Sequence, residues 1–381
     1  MPSAPKILYL VTEDWYFCSH RLPLAIAAAK SGYDVVVATR VNQHQRVIER
    51  AGLRVIPLRR LKRESMNPLR ELSAMWELIK IYRQERPSLV HHVALKPVLY
   101  GTLAARIARI PGIVNALGGL GFVFASQRAL ARLLKIPFTM LFKWLLNTPN
   151  CLVIVQNQDD VKVLKGLSIS TDHIRLIRGA GVDLDSYCLC PINSSPPSVV
   201  LASRMLWDKG VGEFVEAARK LRSQGVNAKF ILAGDTDPHN PTAIPVPQLK
   251  VWDDEGFIEW LGYSNDMPQV LSEANIVCLP SYYEGLPKVL IEAMACGRPI
   301  VTTDVPGCRE LVNPEVNGIL VPPRDVDALA DALNRLINDK ELCSKMGHEG
   351  RKMAESEFAQ PKIIQETLTV YTELQSSCES W

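Results

Sequence analysis

The chain has 381 residues, 47% of them hydrophobic, and a formal net charge of +3 at pH 7. It is long for one domain and has enough apolar residues for two cores, which excludes a disordered protein and favours two globular domains. The nine cysteines include no Cys-x-x-Cys pair, and no basic stretch followed by a long apolar one opens the chain. We therefore expect reduced thiols and a cytoplasmic location rather than a secreted, disulfide-bonded protein.

Positive charge is concentrated in the first half of the chain. Residues 1–190 hold 26 Lys and Arg against 13 Asp and Glu, whereas residues 191–381 hold 17 against 27. Between Glu85 and Asp159 there is no acidic residue at all. Such a surface suits an anionic partner. Because the sequence has no recognition-helix module, zinc spacing or ribonucleoprotein motif, we expect no nucleic acid and favour an anionic membrane leaflet.

The first half alternates between strand and helix patterns, which predicts a doubly wound parallel sheet. Strands are predicted at Ile7–Val11, Asp34–Ala38, Arg54–Pro57 and Ser88–His91, and helices at Leu22–Lys30, Gln43–Ala51 and Leu69–Glu85. Ligands of such sheets bind beyond the carboxyl ends of the strands. The polar and glycine residues expected there are Glu13, Asp14, His20, Arg21, His91, His92, Lys96, Gly118, Gly119 and Gly121.

The stretch from Arg128 to Asn147 combines apolar residues with spaced cations and is interrupted by Pro137. The cations argue against a membrane span, so the pattern predicts a segment that lies in a membrane interface. A helix packed on the core with its Lys and Arg side chains in water is the alternative.

A cluster of Pro, Asn and Ser between Cys188 and Ser198 predicts a linker, and a second strand–helix series follows it. We therefore predict a first domain at 1–190, a second at 191–360 and a C-terminal helix at 361–381. The strands predicted in the second domain are Val199–Ala202, Lys229–Ala233, Phe257–Leu261, Ile276–Leu279, Pro299–Thr302 and Gly318–Val321. The last helices are predicted at Asp325–Asn338, Glu341–Glu357 and Ile363–Leu374.

The stretch Ser281–Arg298 predicts a strand end, a turn and a helix, which puts Glu284 in the turn and Glu292 on the helix. Two carboxylates placed in this way can meet one elongated ligand at separate points, one at a ribose and the other at a sugar. A diphosphate between them would lie at the helix N-terminus. The residues expected to border it are Gly285, Leu286, Lys288 and Val289. Solvated surface glutamates are the alternative.

This Glu-x7-Glu pattern closely resembles the signature of family 4 of the retaining glycosyltransferases. The resemblance covers nearly the whole chain. It implies the α/β fold called GT-B, two Rossmann-like doubly wound domains facing a cleft. It also implies that the C-terminal domain binds a nucleotide-diphosphate sugar, that the N-terminal domain binds the acceptor, and that the final helix crosses back to the first domain.

The resemblance assigns roles to residues of the second domain. Arg204 and Lys209 follow the first strand at the spacing of the family's diphosphate-binding cations, and they would stabilise the departing diphosphate. These cations would do the work of a metal, so neither a metal nor another cofactor is expected. Gly262 and Tyr263 match the turn whose backbone reads the base. Retention is ascribed in this family to front-face attack without a protein nucleophile, so Glu284 would orient the donor sugar.

In the first domain the match is less uniform. Many family members have a Gly-Gly loop after the first strand, whereas Glu13 to Arg21 contains no glycine here. That loop lies close to the donor phosphates in the family, and His20 and Arg21 are the expected substitutes for its phosphate contacts. His20 and Arg21 are also acceptor-binding candidates, together with Lys96, Gly119 and Gly121. Several relatives place a His or an acid after the fourth strand, near the reacting sugar. Adjacent strand residues point to opposite faces, so we expect one of His91 and His92 to face the cleft and favour His92 as catalytic.

Four segments, at 19–23, 95–101, 119–124 and 202–210, resemble bacterial enzymes that extend polyprenyl-diphosphate-linked sugars in N-glycan, O-antigen and capsule assembly. A lipid-linked acceptor implies a peripheral protein at the inner face of the plasma membrane, and it would explain the basic first half. Two alternatives stay open: a soluble transferase with a non-lipid acceptor, and a nucleotide-sugar epimerase or hydrolase on the same fold. The sequence does not distinguish UDP from GDP donors.

Overall fold

The computed structural model describes residues 4–63, 67–120, 139–192 and 195–379. It forms two compact units, the first made of residues up to Ala180 and from Ile363 onward, and the second of Gly181–Lys362. The chain passes from the first unit to the second between Ala180 and Gly181, before the boundary predicted at 190/191. The reason is that Val182 already pairs with the second unit, donating its N–H to the Phe358 carbonyl oxygen at 2.9 Å and accepting from the Gln360 N–H at 3.0 Å.

The first unit is built on a seven-stranded parallel sheet with the strand order β3-β2-β1-β4-β5-β6-β7. Its strands are β1 (Lys6–Glu13), β2 (Asp34–Arg40), β3 (Arg54–Pro57), β4 (Leu89–Val93), β5 (Gly112–Ala116), β6 (Cys151–Val155) and β7 (Ile174–Leu176). Strands β4, β5 and β6 are buried along their full length. Their near-continuous apolar sequences are typical of a parallel sheet that is covered on both faces.

Helices cover both faces of this sheet. They are α1 (Asp14–His20), α2 (Leu22–Lys30), α3 (Gln45–Arg50), α4 (Pro68–Glu85), α5 (Leu95–Ala108), α6 at 139–146 and α7 (Gln158–Gly166). Leu8 and Leu10 of β1 pack on the layer that contains α4, α5 and α6. Tyr9 faces the opposite layer, which contains α1, α2 and the C-terminal helix.

The second unit is built on a six-stranded parallel sheet with the order β10-β9-β8-β11-β12-β13. Its strands are β8 (Ser198–Ala202), β9 (Lys229–Ala233), β10 (Glu259–Gly262), β11 (Ile276–Leu279), β12 (Ile300–Thr303) and β13 (Gly318–Val321). The remaining helices are α8 (Val211–Ser223), α9 (Val246–Asp254), α10 (Met267–Glu273), α11 (Lys288–Ala295), α12 (Val326–Asn338), α13 (Lys340–Glu357) and α14 (Gln360–Glu379). Each unit is thus a doubly wound α/β sheet, as the sequence predicts.

Each sheet has one point at which strand addition changes direction. In the first unit it lies between β1 and β4, and in the second between β8 and β11. The loops that leave two such strands diverge to opposite faces, which opens a crevice at the carboxyl edge of the sheet. These two switch points are therefore where ligand-binding side chains are expected.

Among the helices in the described part of the chain, none is both long enough and apolar enough to cross a membrane.

Candidate active site

At the switch point of the second sheet, the loops after β8 and β11 bring Lys209 and Glu284 together. The Lys209 ammonium contacts Glu284 Oε1, and the Ser281 hydroxyl donates to the same oxygen at 2.7 Å. The close approach depends on Gly210, which has φ +70° and where a Cβ would overlap the carbonyl oxygen of Pro280 at the end of β11. The two predicted residues therefore meet, both mostly withdrawn from solvent.

Glu292 lies on α11, as predicted, and is buried there with only 6% of its surface exposed. Its Oε1 accepts a hydrogen bond from the Tyr187 hydroxyl at 2.8 Å and pairs with the Lys288 ammonium at 2.8 Å. Pro287 precedes the helix and no side chain caps its first turn. The start of α11 therefore keeps backbone N–H groups that can bind an anion.

The loops after β9 and β10 meet at the turn that was assigned to base recognition. The Gly234 N–H donates to the Gly262 carbonyl at 2.7 Å, and the Trp260 indole donates to the Gly234 carbonyl at 2.9 Å. Gly262 has φ +66°, and Tyr263 beside it is exposed. Gly285 and Leu286 lie in the loop between β11 and α11, and both are buried.

Arg204 follows β8 but turns toward the β9 loop, where it pairs with Asp237 at 2.6 Å. Asp235 and Asp237 have the Asp-x-Asp spacing of a metal-binding pair, but the second of these carboxylates is already bound to a cation of the protein. The described residues contain no group of three or more His, Cys, Asp or Glu side chains arranged to hold a metal. The Arg204–Asp237 pair is partly exposed, so the ion pair adds little to stability.

In the first unit, Arg21 lies at the junction of α1 and α2, close to the switch point. It is 6% exposed, and no described residue accepts a hydrogen bond from its guanidinium. His20 stacks on Tyr16 with ring centroids 4.2 Å apart. The glycine-free stretch after β1 forms helix α1, in which Asp14 accepts the Trp15 N–H at 2.8 Å and Phe17 is buried. A buried guanidinium without a partner suits an anionic ligand.

The prediction that His92 faces the cleft is wrong. His92 is fully buried, donates from Nδ1 to Asn115 Oδ1 at 2.8 Å, and accepts from the Tyr82 hydroxyl at Nε2 at 2.9 Å. A Cβ on Gly101 of α5 would touch its ring. Burial lowers the pKa of His92 to about 4, so the ring is neutral near pH 7. Its two nitrogens serve the core, as a structural histidine's do.

His91 points to the opposite face of β4, and it is buried as well. Its Nδ1 lies 2.6 Å from the Tyr371 hydroxyl, which in turn lies 2.9 Å from the Tyr9 hydroxyl. Burial lowers its pKa well below the ordinary value, and the positive charge of Arg21 contributes. The alternation of faces was predicted correctly, but helices cover both faces.

The other acceptor candidates have mixed outcomes. Lys96 donates to Glu71 Oε1 at 2.9 Å and to the Lys62 carbonyl at 2.6 Å, so its charge is engaged inside the first unit. Gly119 has φ +120°, and the next residue, Leu120, donates its N–H to Asp160 at 3.0 Å. Gly121 and residues 128–138 of the predicted interfacial segment lie outside the described residues.

Two family models divide most of the chain between them. The model described as glycosyl transferase 4-like matches residues 6–157, and the one described as glycosyl transferases group 1 matches residues 196–339. The chain belongs to the family 4 glycosyltransferases. The resemblance noted in the sequence is thereby confirmed.

This glycosyltransferase has relatives in bacteria. It is 27% identical to the N,N'-diacetylbacillosaminyl-diphospho-undecaprenol alpha-1,3-N-acetylgalactosaminyltransferase of Campylobacter jejuni, over 84% of this chain and 86% of that one. It is 24% identical to the UDP-Gal:alpha-D-GlcNAc-diphosphoundecaprenol alpha-1,3-galactosyltransferase of Escherichia coli, over 72% of both. The crystal structure of Anabaena HepE with UDP-glucose superposes with a TM-score of 0.79 at 21% identity, covering 97% of this chain and 99% of that one. The fold is GT-B.

Sequence reasoning missed the contacts made by Tyr187 and Asp160. Tyr187 lies in the stretch before the predicted linker, and Asp160 on α7 anchors the Gly118–Leu120 turn. Neither lies in a motif, and each acts over a long separation in sequence. A left-handed Ala94, with φ +75° just after β4, was also unexpected, because alanine rarely adopts that backbone conformation.

Proposed function

We propose that this glycosyltransferase moves a hexose or N-acetylhexosamine from a nucleotide-diphosphate sugar to a polyprenyl-diphosphate-linked saccharide, with retention of configuration and without a metal ion. The observation that carries the proposal is the meeting of Lys209 and Glu284 at the second switch point, with Glu292 on the helix that follows. A cation and two carboxylates in that order match the diphosphate, sugar hydroxyls and ribose hydroxyls of one donor.

The donor-side chemistry follows from these charges. Lys209 and Arg204 would each give up a protein carboxylate for the diphosphate, whose negative charge grows as the glycosidic C–O bond breaks. Glu284, released from Lys209, would then accept hydrogen bonds from the sugar hydroxyls. In front-face attack the acceptor hydroxyl bonds to the anomeric carbon from the side that the diphosphate leaves. Its proton passes to the leaving phosphate oxygen.

The acceptor assignment rests on the relatives and on Arg21. Both named transferases act on sugars linked to diphospho-undecaprenol. In the first unit, Arg21 is a buried guanidinium with no hydrogen-bond acceptor among the described residues. Guanidinium groups bind phosphate oxygens in pairs, so we assign Arg21 to the acceptor diphosphate.

Peripheral membrane association is supported by the outer side of one helical layer in the first unit, which we call the apolar helix face. On α4, Leu69, Leu72 and Trp76 recur at helical spacing and are 79%, 58% and 61% exposed. On α6, Met140 and Trp144 are also exposed, and Arg106 of α5 lies 3.8 Å above the Trp144 ring. Exposed apolar groups among cations suit the interface of an anionic leaflet.

The reaction is tested by incubating purified protein with a panel of UDP- and GDP-sugars in EDTA, with and without a synthetic polyprenyl-diphosphate disaccharide. We expect one donor to be consumed only when the lipid acceptor is present. Donor consumption without any acceptor would favour an epimerase or hydrolase instead. Loss of activity in EDTA that Mg²⁺ or Mn²⁺ restores would contradict metal independence.

The membrane proposal is tested by sedimentation with vesicles rich in phosphatidylglycerol. The double substitution Leu72→Ser and Trp76→Ser removes apolar groups that are more than half exposed, so the fold should persist while vesicle binding drops about tenfold or more. The single substitution Val251→Ser, at an exposed position of the second unit, is the control and should bind as the wild type does. Equal binding by both variants would contradict the role of the apolar helix face.

A further inference from the structure

Residues 181–190 form a segment that is fastened to the helix carrying Glu292. The Tyr187 N–H donates to the Asp183 carbonyl at 3.0 Å. The guanidinium of Arg351 donates from one nitrogen to the Tyr187 carbonyl at 2.8 Å and to the Ala295 carbonyl at 2.6 Å. Ala295 is the last residue of α11. Arg351 therefore fixes the backbone of Tyr187 relative to the C-terminal end of α11.

This anchoring aims the Tyr187 hydroxyl at the Glu292 carboxylate. The hydroxyl donates to Oε1 at 2.8 Å, and the Lys288 ammonium lies 2.8 Å from the same oxygen. Among the described residues, none donates to Oε2. Burial raises the pKa of Tyr187, and the charge of Glu292 raises it further, so the phenol stays protonated at any working pH.

We propose that Tyr187 is a positioning residue through which this enzyme selects nucleotides by their ribose hydroxyls. It holds Oε1 of Glu292 so that Oε2 meets those hydroxyls. The terminal torsion of a glutamate is broad and does not by itself fix the carboxylate plane. A hydrogen bond and an ion pair on one oxygen fix it, and they leave the other oxygen for the ligand. The inference rests on the proposed donor role of Glu292 and goes beyond it, because it predicts selectivity for the sugar of the nucleotide.

The test compares Tyr187→Phe with the wild type in calorimetric titrations of UDP and GDP. The nucleotide that binds more tightly is then compared with its 2′-deoxy and 3′-deoxy forms. We expect Tyr187→Phe to weaken binding of the ribonucleotide about tenfold. For the deoxy form that lacks the contacted hydroxyl, the wild type and the variant should differ by less than about twofold, because the oriented oxygen then has nothing to accept from.

The matched control is Tyr33→Phe in the first unit. It removes a hydroxyl that donates a hydrogen bond to Gln375 Oε1 at 2.9 Å, and it should leave all nucleotide affinities unchanged. Equal losses for ribo- and deoxynucleotides, or no loss at all, would overturn the inference. A parallel titration of Glu292→Gln separates the two proposals. If Glu292→Gln weakens binding and Tyr187→Phe does not, the inference alone fails. If Glu292→Gln also binds normally, or if neither nucleotide binds the wild type, the proposed donor site fails as well.

Discussion

Lys209 and Glu284 form an ion pair whose side chains are mostly buried. Each charge is therefore stabilised either by the other or by a bound ligand. Because hydrogen bonds between charged groups contribute about 1.5–3 kcal/mol, Lys209→Ala should weaken binding of a nucleoside diphosphate by about tenfold to a hundredfold. Lys209→Arg should keep part of the affinity. The control is Lys220→Ala on α8, which removes an exposed ion pair with Asp327 and should leave binding unchanged. Calorimetric titration measures all three, and wild-type affinity in Lys209→Ala would refute the assignment.

His91 and His92 couple stability to pH, because both are buried and neutral while an unfolded chain protonates them near pH 6.5. Between pH 6.5 and about 4, the unfolded state therefore binds more protons than the folded state. Stability should fall as the pH drops through this window, by up to about 1.4 kcal/mol per pH unit for each histidine. Urea unfolding at a series of pH values should show that the free energy of unfolding of His92→Gln changes less steeply with pH than that of the wild type. The control is His239→Gln, at an exposed position, and its unfolding free energy should depend on pH as that of the wild type does. A wild-type pH dependence in His92→Gln would contradict the role of the buried histidine.

At the scale of elements, the packing of α13 on the end of α11 depends on one glycine. A Cβ at Gly347 would overlap the carbonyl oxygen of Gly297, which is backbone and cannot rotate away. Alanine favours helix by about 1 kcal/mol over glycine, but overpacking costs about 1–3 kcal/mol or more, so the clash should win. We expect Gly347→Ala to destabilise the protein by about 1–2 kcal/mol in thermal or urea unfolding.

Gly166→Ala is the matched control for this prediction. Gly166 ends α7, a Cβ added there would have no neighbouring atom within 4 Å, and the residue keeps an ordinary backbone conformation. The same substitution there should be neutral or stabilise by up to about 1 kcal/mol, because only helix propensity changes. If the two variants had equal stability, the close crossing of α13 and Gly297 would be contradicted.

Elements with a clear apolar run and a definite stop were predicted almost to the residue. Lys229–Ala233, Ile276–Leu279 and Gly318–Val321 are strands with the predicted bounds. Helix α1 was missed, because its seven residues carry no helical apolar period and its first turn depends on Asp14, which also binds the backbone N–H of His44 at 2.9 Å. Local patterns do not contain such a contact between distant residues.

The same limit applied to the candidate site. Glu284 and Lys209 were predicted because each lies in a motif beside a strand end, and the strand order then brings them together. The orientation of His91 and His92 was harder, since alternation tells that two residues face opposite ways but not which face a helix covers. The contact of Tyr187 could not be predicted from the sequence, because its partner Glu292 lies far along the chain.

At the scale of the whole molecule, the family and the GT-B fold were predicted from motifs spread over nearly all of the chain, and both are confirmed. The boundary between the units was less well predicted, because a Pro- and Ser-rich stretch marks an irregular segment and not the point at which the chain changes sheets. Residues 181–190 were predicted in the first domain and yet belong to the second unit.

We propose that this chain transfers a sugar onto a lipid-diphosphate saccharide. The most direct measurement is mass spectrometry of the lipid acceptor after incubation with the donor selected from the UDP- and GDP-sugar panel, followed by NMR of the new anomeric proton. We expect the acceptor to gain one hexose or N-acetylhexosamine residue, with the anomeric configuration of the donor retained, and to gain nothing with Glu292→Gln at low donor concentration. An unchanged lipid acceptor while the donor is consumed would refute transfer to the lipid, and an inverted anomeric centre would refute the front-face mechanism.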